Sequence, residues 1–311
     1  MQEILAAYMD LGICPSMLMP GSFTDSKEHL RALRMGCRLE QYRALDLYLT
    51  DNDEIAREEI RILREQDKII NYNSPAQFQN FGAYNAGSEL ACERQGALDF
   101  AKKHLDYAAE IGADLFVVTS CPDVPERRQQ IHERFSSFMQ SVCQYARERH
   151  IHVVIEPIER HRFKKLFLGP TEEVAAFIRQ LRLQGCDNLS IMVDFGHLPL
   201  MEEDLDAVIA ASCSVGMRHV HFGDAILCPS HPLYGHMHPP MCGRQGSYAM
   251  EDIARQFSAL LACGYLGGPR KEKPRVSLEV RPYEGVSAQV SALVHYERMK
   301  SALMSALERL G

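Results

Sequence analysis

The 311-residue sequence is most informative at first through what it lacks. No stretch approaches 18 uncharged apolar residues, so no transmembrane helix and no membrane partner are expected. Positive charge is not in excess: 34 Lys and Arg face 41 Asp and Glu, for a net charge of −7. That balance excludes a broad nucleic-acid surface, although not a local basic patch. Ten cysteines are present, yet neighbours are never closer than 14 residues, so there is no CxxC pair. A zinc ribbon or thioredoxin-like motif is therefore unsupported, and the thiols read as buried and reduced in a cytoplasmic protein. The opening MQEILAAYMDLGIC has no basic segment followed by an apolar core, which predicts no signal peptide. Internal repeats and low-complexity tracts are absent as well.

What remains is an ordinary globular composition, 46% apolar and 24% charged. A chain of this length buries a large core without staples. Short apolar runs at 12–17, 44–49, 68–72, 115–119, 152–156, 189–194, 217–222 and 275–280 read as strands. Between and after them, 25–42, 52–66, 96–111, 126–149, 171–183, 202–214, 248–263 and 286–310 carry helical spacing. Asp51-Asn52 and Pro170-Thr171 mark helix starts, and Gly112, Gly185 and Gly264 mark stops. Eight strands alternating with eight helices predict a single α/β domain over 1–311, a closed (β/α)8 TIM barrel. The rival open doubly wound sheet calls for a glycine-rich phosphate turn after its first strand, and CPSMLMPG at 14–21 is not one. One long irregular segment, 225–247, follows the seventh strand and is rich in Pro, Gly and His.

In four of the predicted strands the apolar run meets an ionisable residue at its C-terminal end: Val154-Ile155-Glu156, Met192-Val193-Asp194, His219-Val220-His221 and Ser277-Leu278-Glu279. A buried carboxylate is costly unless it is paired or holds a metal. In a barrel the C-terminal strand ends form one ring, so residues separated by 38, 27 and 58 positions would meet there. Side-chain alternation makes His219 and His221 point one way, and Glu279 and Arg281 likewise. Three carboxylates and an imidazole suit one divalent ion, Mn²⁺ foremost, or Mg²⁺ or Co²⁺, with open positions for substrate. The competing reading pairs each acid with a rim cation, as Arg281 would with Glu284.

At these residues the sequence resembles the xylose isomerase-like barrels, in particular the branch of D-tagatose 3-epimerase and related sugar isomerases. The matches are Glu156-Pro157, the D-x-x-H of Asp194 to His197, the H-x-H-x-G-D of His219 to Asp224 (Asp where the family has Glu), and Leu278-Glu279-Val280. The resemblance implies that Glu156, Asp194, His221 and Glu279 bind the metal and that His197 contacts a substrate oxygen. Arg281, His219, Arg160 and His238 are the remaining candidate substrate contacts. Two positions depart from that pattern. Glu159 stands in place of the Asn of an Asn-Arg pair, and Leu227 in place of an Arg.

The expected chemistry is isomerisation or epimerisation of a keto sugar or keto polyol through a metal-stabilised enediolate, with Glu156 and Glu279 as acid and base. The partner is then a small carbohydrate, with a homo-oligomer or a small accessory subunit left open. A lyase of the same barrel type, such as a keto-inositol dehydratase or the catalytic subunit of a C-glycoside deglycosidase, is the alternative, with His231, His236 or His238 as acid for a leaving group. An endonuclease branch would need more His and Asp ligands and a basic surface. A binding-only barrel is disfavoured by intact acid–base candidates. Tyr72, Phe78 and Phe81 are candidates to wall the pocket, equally readable as packing.

Overall fold

Hydrogen bonding joins eight parallel strands, in sequence order, into one closed ring. The computed structural model describes residues 3–75, 84–268 and 272–310. The strands are β1 (Asp10–Ile13), β2 (Ala44–Leu47), β3 (Ile69–Asn73), β4 (Leu115–Thr119), β5 (His152–Glu156), β6 (Leu189–Asp194), β7 (Met217–Phe222) and β8 (Arg275–Leu278). The ring closes where β8 pairs with β1, Asp10 opposite Arg275 through Ile13 opposite Leu278. Helices return the chain between strands, so this is the single-domain (β/α)8 barrel that the alternating pattern predicts.

Local chemistry sets the helix ends. Asn52 Oδ1 accepts from the Glu54 and Ile55 amides ahead of Asp53–Arg64, and Asp204 does the same for Leu205–Ser214. Gly112, Gly185 and Gly264 adopt φ of 74°, 93° and 72° just past three helices, a conformation glycine reaches without strain. Several boundaries differ from expectation, the helix expected over 25–42 ending at Cys37 among them, and two have a plain local reading. β1 stops at Ile13, because Pro15 opens a short helix, Pro15–Leu18. The helix expected from residue 96 begins at Ala91, running straight through Gly96.

Alternation divides the barrel interior. Leu115, Val117, Val154 and Met192 form an apolar cluster of their own, inside β4 to β6. Across from them Asp46, Asn71, His219 and Ser277 form a buried polar patch. The outward faces pack on the helices in the main core. The expectation of buried thiols is corrected in part. No disulfide joins the ten cysteines, but Cys92, Cys213, Cys228 and Cys263 are exposed, because they fall on outer helix faces, in the long loop and, for Cys263, just past a helix end. Among the described residues, no helix is long and apolar enough to cross a membrane.

Candidate active site

Alternation and strand direction together bring the four strand-end residues to one point. Glu156 closes β5, Asp194 closes β6, His221 is the penultimate residue of β7 and Glu279 directly follows β8. One ligand atom from each lies within 4.8 Å of the others. His221 Nδ1 is 2.7 Å from Glu279 Oε2 and 4.0 Å from Asp194 Oδ2. Asp194 Oδ1 accepts from the Gly196 amide at 2.7 Å, while Oδ2, fully buried, has no hydrogen-bond partner. The imidazole nitrogens nearest to it stand at 3.5 Å (His197) and 3.7 Å (His238), too far for good hydrogen bonds. An orphaned carboxylate oxygen ringed at that spacing fits a divalent cation, as does the excess negative charge of three carboxylates in one buried set.

Crowding of carboxylates in one buried set shifts their titration in opposite directions. Burial, reinforced by Glu279, pushes the Glu156 carboxyl up to about 8. Burial likewise pushes Asp194 up to about 7. Glu279 is equally buried, but the facing imidazoles of His238 and His221 hold it below the usual carboxylate range.

Beneath this set lies a residue the motif argument passes over. Asp46 of β2 is buried, and its Oδ1 accepts from both His219 Nε2 and His221 Nε2, at 2.6 and 2.8 Å. Its Oδ2 accepts from Asn71 Nδ2 at 2.9 Å and from the Ser277 hydroxyl. His219 is thus the neighbour of His221 rather than part of the four-residue set, and it is completely buried.

The set borders a cavity of about 430 Å³ whose lining includes Asp46, Asn73, Glu156, Lys164, Glu279 and Arg281. Arg281 is half-buried and donates from Nε to the Met237 carbonyl at 2.7 Å, and no ion pair with Glu284 forms among the described residues. His197 is buried behind the cavity rather than lining it, its Nδ1 3.0 Å from the Pro157 carbonyl. Arg160 points elsewhere, bonded to Glu173 at 2.9 Å and to the Phe167 carbonyl. Tyr72 is wholly buried with its hydroxyl 2.7 Å from His104 Nδ1, so it packs the core; Phe78 and Phe81 lie outside the described residues.

The 225–247 segment is a shaped part of the site. Asp224 Oδ1 accepts from the amides of Ala225 and Ser247, both at 2.8 Å, tying the loop's two ends together. Its middle returns to the barrel, where the Arg281 amide donates to the His238 carbonyl at 2.8 Å. His236 thereby reaches the cavity wall and His238 comes within 3.7 Å of Glu279 and Asp194, while His231 hydrogen-bonds only within the loop. The sequence reasoning missed Asp46 and Lys164. For Asp46 a signal existed, an acid inside the apolar run 44–49; for Lys164, in a polar stretch, there was none.

The family described as xylose isomerase-like TIM barrel matches residues 31–293. No curated protein matches the sequence. Among solved structures, a D-tagatose 3-epimerase-like protein superposes with TM-score 0.73 at 13% identity, covering 97% of this chain and 100% of its own. D-psicose 3-epimerase from Clostridium cellulolyticum H10 gives TM-score 0.63 at 16% identity, covering 96% and 99%. The 3-keto-D-glucoside 4-epimerase of E. coli gives 0.63 at 15%, covering 94% and 98%.

Proposed function

The chain belongs to the xylose isomerase-like TIM barrel family, and from that membership and the site geometry we propose a divalent-metal-dependent isomerase or epimerase of a keto sugar or keto polyol. The observation carrying this reading is that Glu156 and Glu279, both lining the cavity, also belong to the converging four-residue set. Solved neighbours described as ketose and keto-glucoside epimerases support it.

Glu156, Asp194, His221 and Glu279 would hold the ion, and an oxygen-rich set suits Mn²⁺ first, then Mg²⁺ or Co²⁺. When bound, such an ion supplies Lewis acidity towards a carbonyl and its neighbouring hydroxyl. Glu156 and Glu279 move the proton. One carboxylate takes it from the carbon beside the carbonyl, leaving an enediolate, and a carboxylic acid returns it. Return to the opposite face of that carbon gives the epimer; return to the neighbouring carbon, with the hydroxyl proton passing to the former carbonyl oxygen so that the carbonyl changes place, gives aldose–ketose isomerisation. Arg281 and Lys164 are the cavity cations that orient substrate oxygens. The substrate is a small carbohydrate.

The test is incubation of the Mn²⁺-loaded protein with a panel of ketoses in D₂O. Deuterium bound to carbon in recovered ketose or its epimer is the expected result. Loss of water or of an aglycone would transfer the reading to the lyase alternative. No exchange with any substrate would remove proton-transfer chemistry on ketoses altogether.

A further inference from the structure

Two cations stand in the wall of the cavity beside the carboxylate set, and among the described residues neither forms an ion pair. Lys164 comes from the segment after β5, where its amide donates to Glu159 Oε1 at 2.8 Å. Arg281 lies two residues beyond Glu279, past the end of β8. Both are half-buried. A charge withdrawn from water without a partner of opposite sign is costly, so a partner arriving through the cavity would relieve that cost.

The surroundings of the two differ. Burial lowers the Lys164 ammonium, but Glu159, Glu279 and Glu156 lie near enough to offset part of the effect. Burial also lowers Arg281, and among the described residues no acid offsets it. Arg281 is therefore the more exposed to the need for an anion.

Arg281 is also held in place. Its Nε donates to the Met237 carbonyl at 2.7 Å, and its amide donates to the His238 carbonyl at 2.8 Å. Its own carbonyl lies 3.2 Å from His295 Nε2. Those bonds fix the stem and leave the two terminal guanidinium nitrogens without a protein partner among the described residues. A planar fork with free terminal N–H groups matches two oxygens of a carboxylate or a phosphate. The arginines of the segment after β5 are not free in this way, since Arg160 bonds to Glu173 and Arg162 to Glu202.

Chain geometry says which end of a substrate meets Arg281. Two residues span at most about 7 Å, so the Arg281 backbone is no further than that from the Glu279 backbone. A five- or six-carbon chain has comparable length. A sugar whose carbonyl end sits at Glu156 and Glu279 thus presents its far end to Arg281. The simpler alternative is that both cations only balance the acids of the site. It requires Arg281 to pair with one of them, and Arg281 bonds to a carbonyl instead.

We propose that Arg281, with Lys164 as a second cation, receives an anionic group at the end of the substrate remote from the carbonyl, so that the substrate class is a keto sugar carrying a carboxylate or a phosphate ester rather than a neutral ketose. This assignment of substrate class rests on the isomerase or epimerase reading given above.

The experiment pairs a binding measurement with the exchange assay. The Mn²⁺-loaded protein is titrated calorimetrically with sorbitol, sorbitol 6-phosphate and gluconate, none of which has a carbonyl to enolise. It is then incubated in D₂O with a neutral ketohexose, its 6-phosphate and the corresponding terminal keto acid. One anion class should bind, and exchange at low concentration, about 10–100-fold better than the neutral sugar, as a charged hydrogen-bonded contact contributes. The stronger arm tells phosphate from carboxylate. Arg281→Gln, matched to the parent in melting temperature and metal content, should bring that anion down to the level of the neutral sugar, and Arg281→Lys should restore part of the preference. No preference for either anion in the parent would overturn the proposal. So would a preference that survives Arg281→Gln, because the anion would then be held elsewhere. Anion-selective binding lost in Arg281→Gln, without exchange on any ketose, would sink the isomerase reading and leave the anion subsite standing. Exchange with no anion preference would sink this inference alone.

Discussion

Asp46 Oδ1 accepts two hydrogen bonds at once, from His219 Nε2 at 2.6 Å and from His221 Nε2 at 2.8 Å. Because a carboxylate only accepts, the second bond fixes His221 with its proton on Nε2 and turns Nδ1 towards Glu279 and Asp194. Asn71 and Ser277 hold the other oxygen, so the carboxylate cannot swing away. Asp46→Asn keeps the shape but replaces one acceptor oxygen by a donor. Removing such an outer partner weakens metal binding by about 10–100-fold. A chelator competition should show that loss; an unchanged affinity in the folded variant would mean that Asp46 does no more than fill the barrel.

Glu156→Gln and Glu279→Gln test separately the two carboxylates proposed to move the proton. Each should cut the deuterium incorporation rate by roughly 10²–10⁴-fold, the usual contribution of a positioned acid or base. Both residues are also candidate ligands, so metal content must be measured beside the rate. A variant that retains its ion and still exchanges at full speed excludes that residue from proton transfer.

A pH dependence of stability arises away from the carboxylate set. His295 is buried, with Nε2 3.2 Å from the Arg281 carbonyl and Nδ1 3.1 Å from the Tyr283 hydroxyl. Burial pushes its imidazole down to about 4. The folded state therefore binds the proton less readily than the unfolded chain, whose imidazole titrates near 6.5. The stabilisation is fully present above pH ~6.5 and is lost as pH falls towards 4, at about 1.4 kcal/mol per unit for one such group. Thermal melts between pH 7 and 4.5 should be shallower in His295→Gln than in the parent. Parallel slopes would place the acid sensitivity elsewhere.

Much of this site was legible because its chemistry interrupts a pattern. Glu156, Asp194, His221 and Glu279 each end an apolar run, and strand direction does the rest. Asp46 interrupts such a run too, but in mid-strand with Leu45 and Leu47 on either side, where nothing in the sequence says that two histidines from β7 will meet it. Arg160 illustrates the converse. Its position in the strand-five motif suggested a substrate contact, but tertiary packing gives it Glu173. The sequence marked His236 and His238 as candidates through their place in the long His-rich loop, but where they reach depends on Asp224 closing the loop's ends and on a left-handed turn at His238.

Gly223 offers the sharpest test of how tightly Asp194 and His238 are pressed together. It lies between Asp194 and His238, with room for no side chain, and its built Cβ would also come 3.3 Å from the Gly196 Cα. Gly223→Ala must displace Asp194, His238 or the strand that carries them. Overpacking a tight interior of this kind costs about 1–3 kcal/mol. The variant should therefore melt earlier and lose bound metal as well, because the atoms it displaces are ligand candidates. Ser16→Ala, a one-atom change at another residue lining the cavity, makes a control that leaves those atoms in place. If Gly223→Ala retains both the melting temperature and the full metal content, the contact between Asp194 and His238 is looser than these distances require, and the packing argument at this point of the barrel fails.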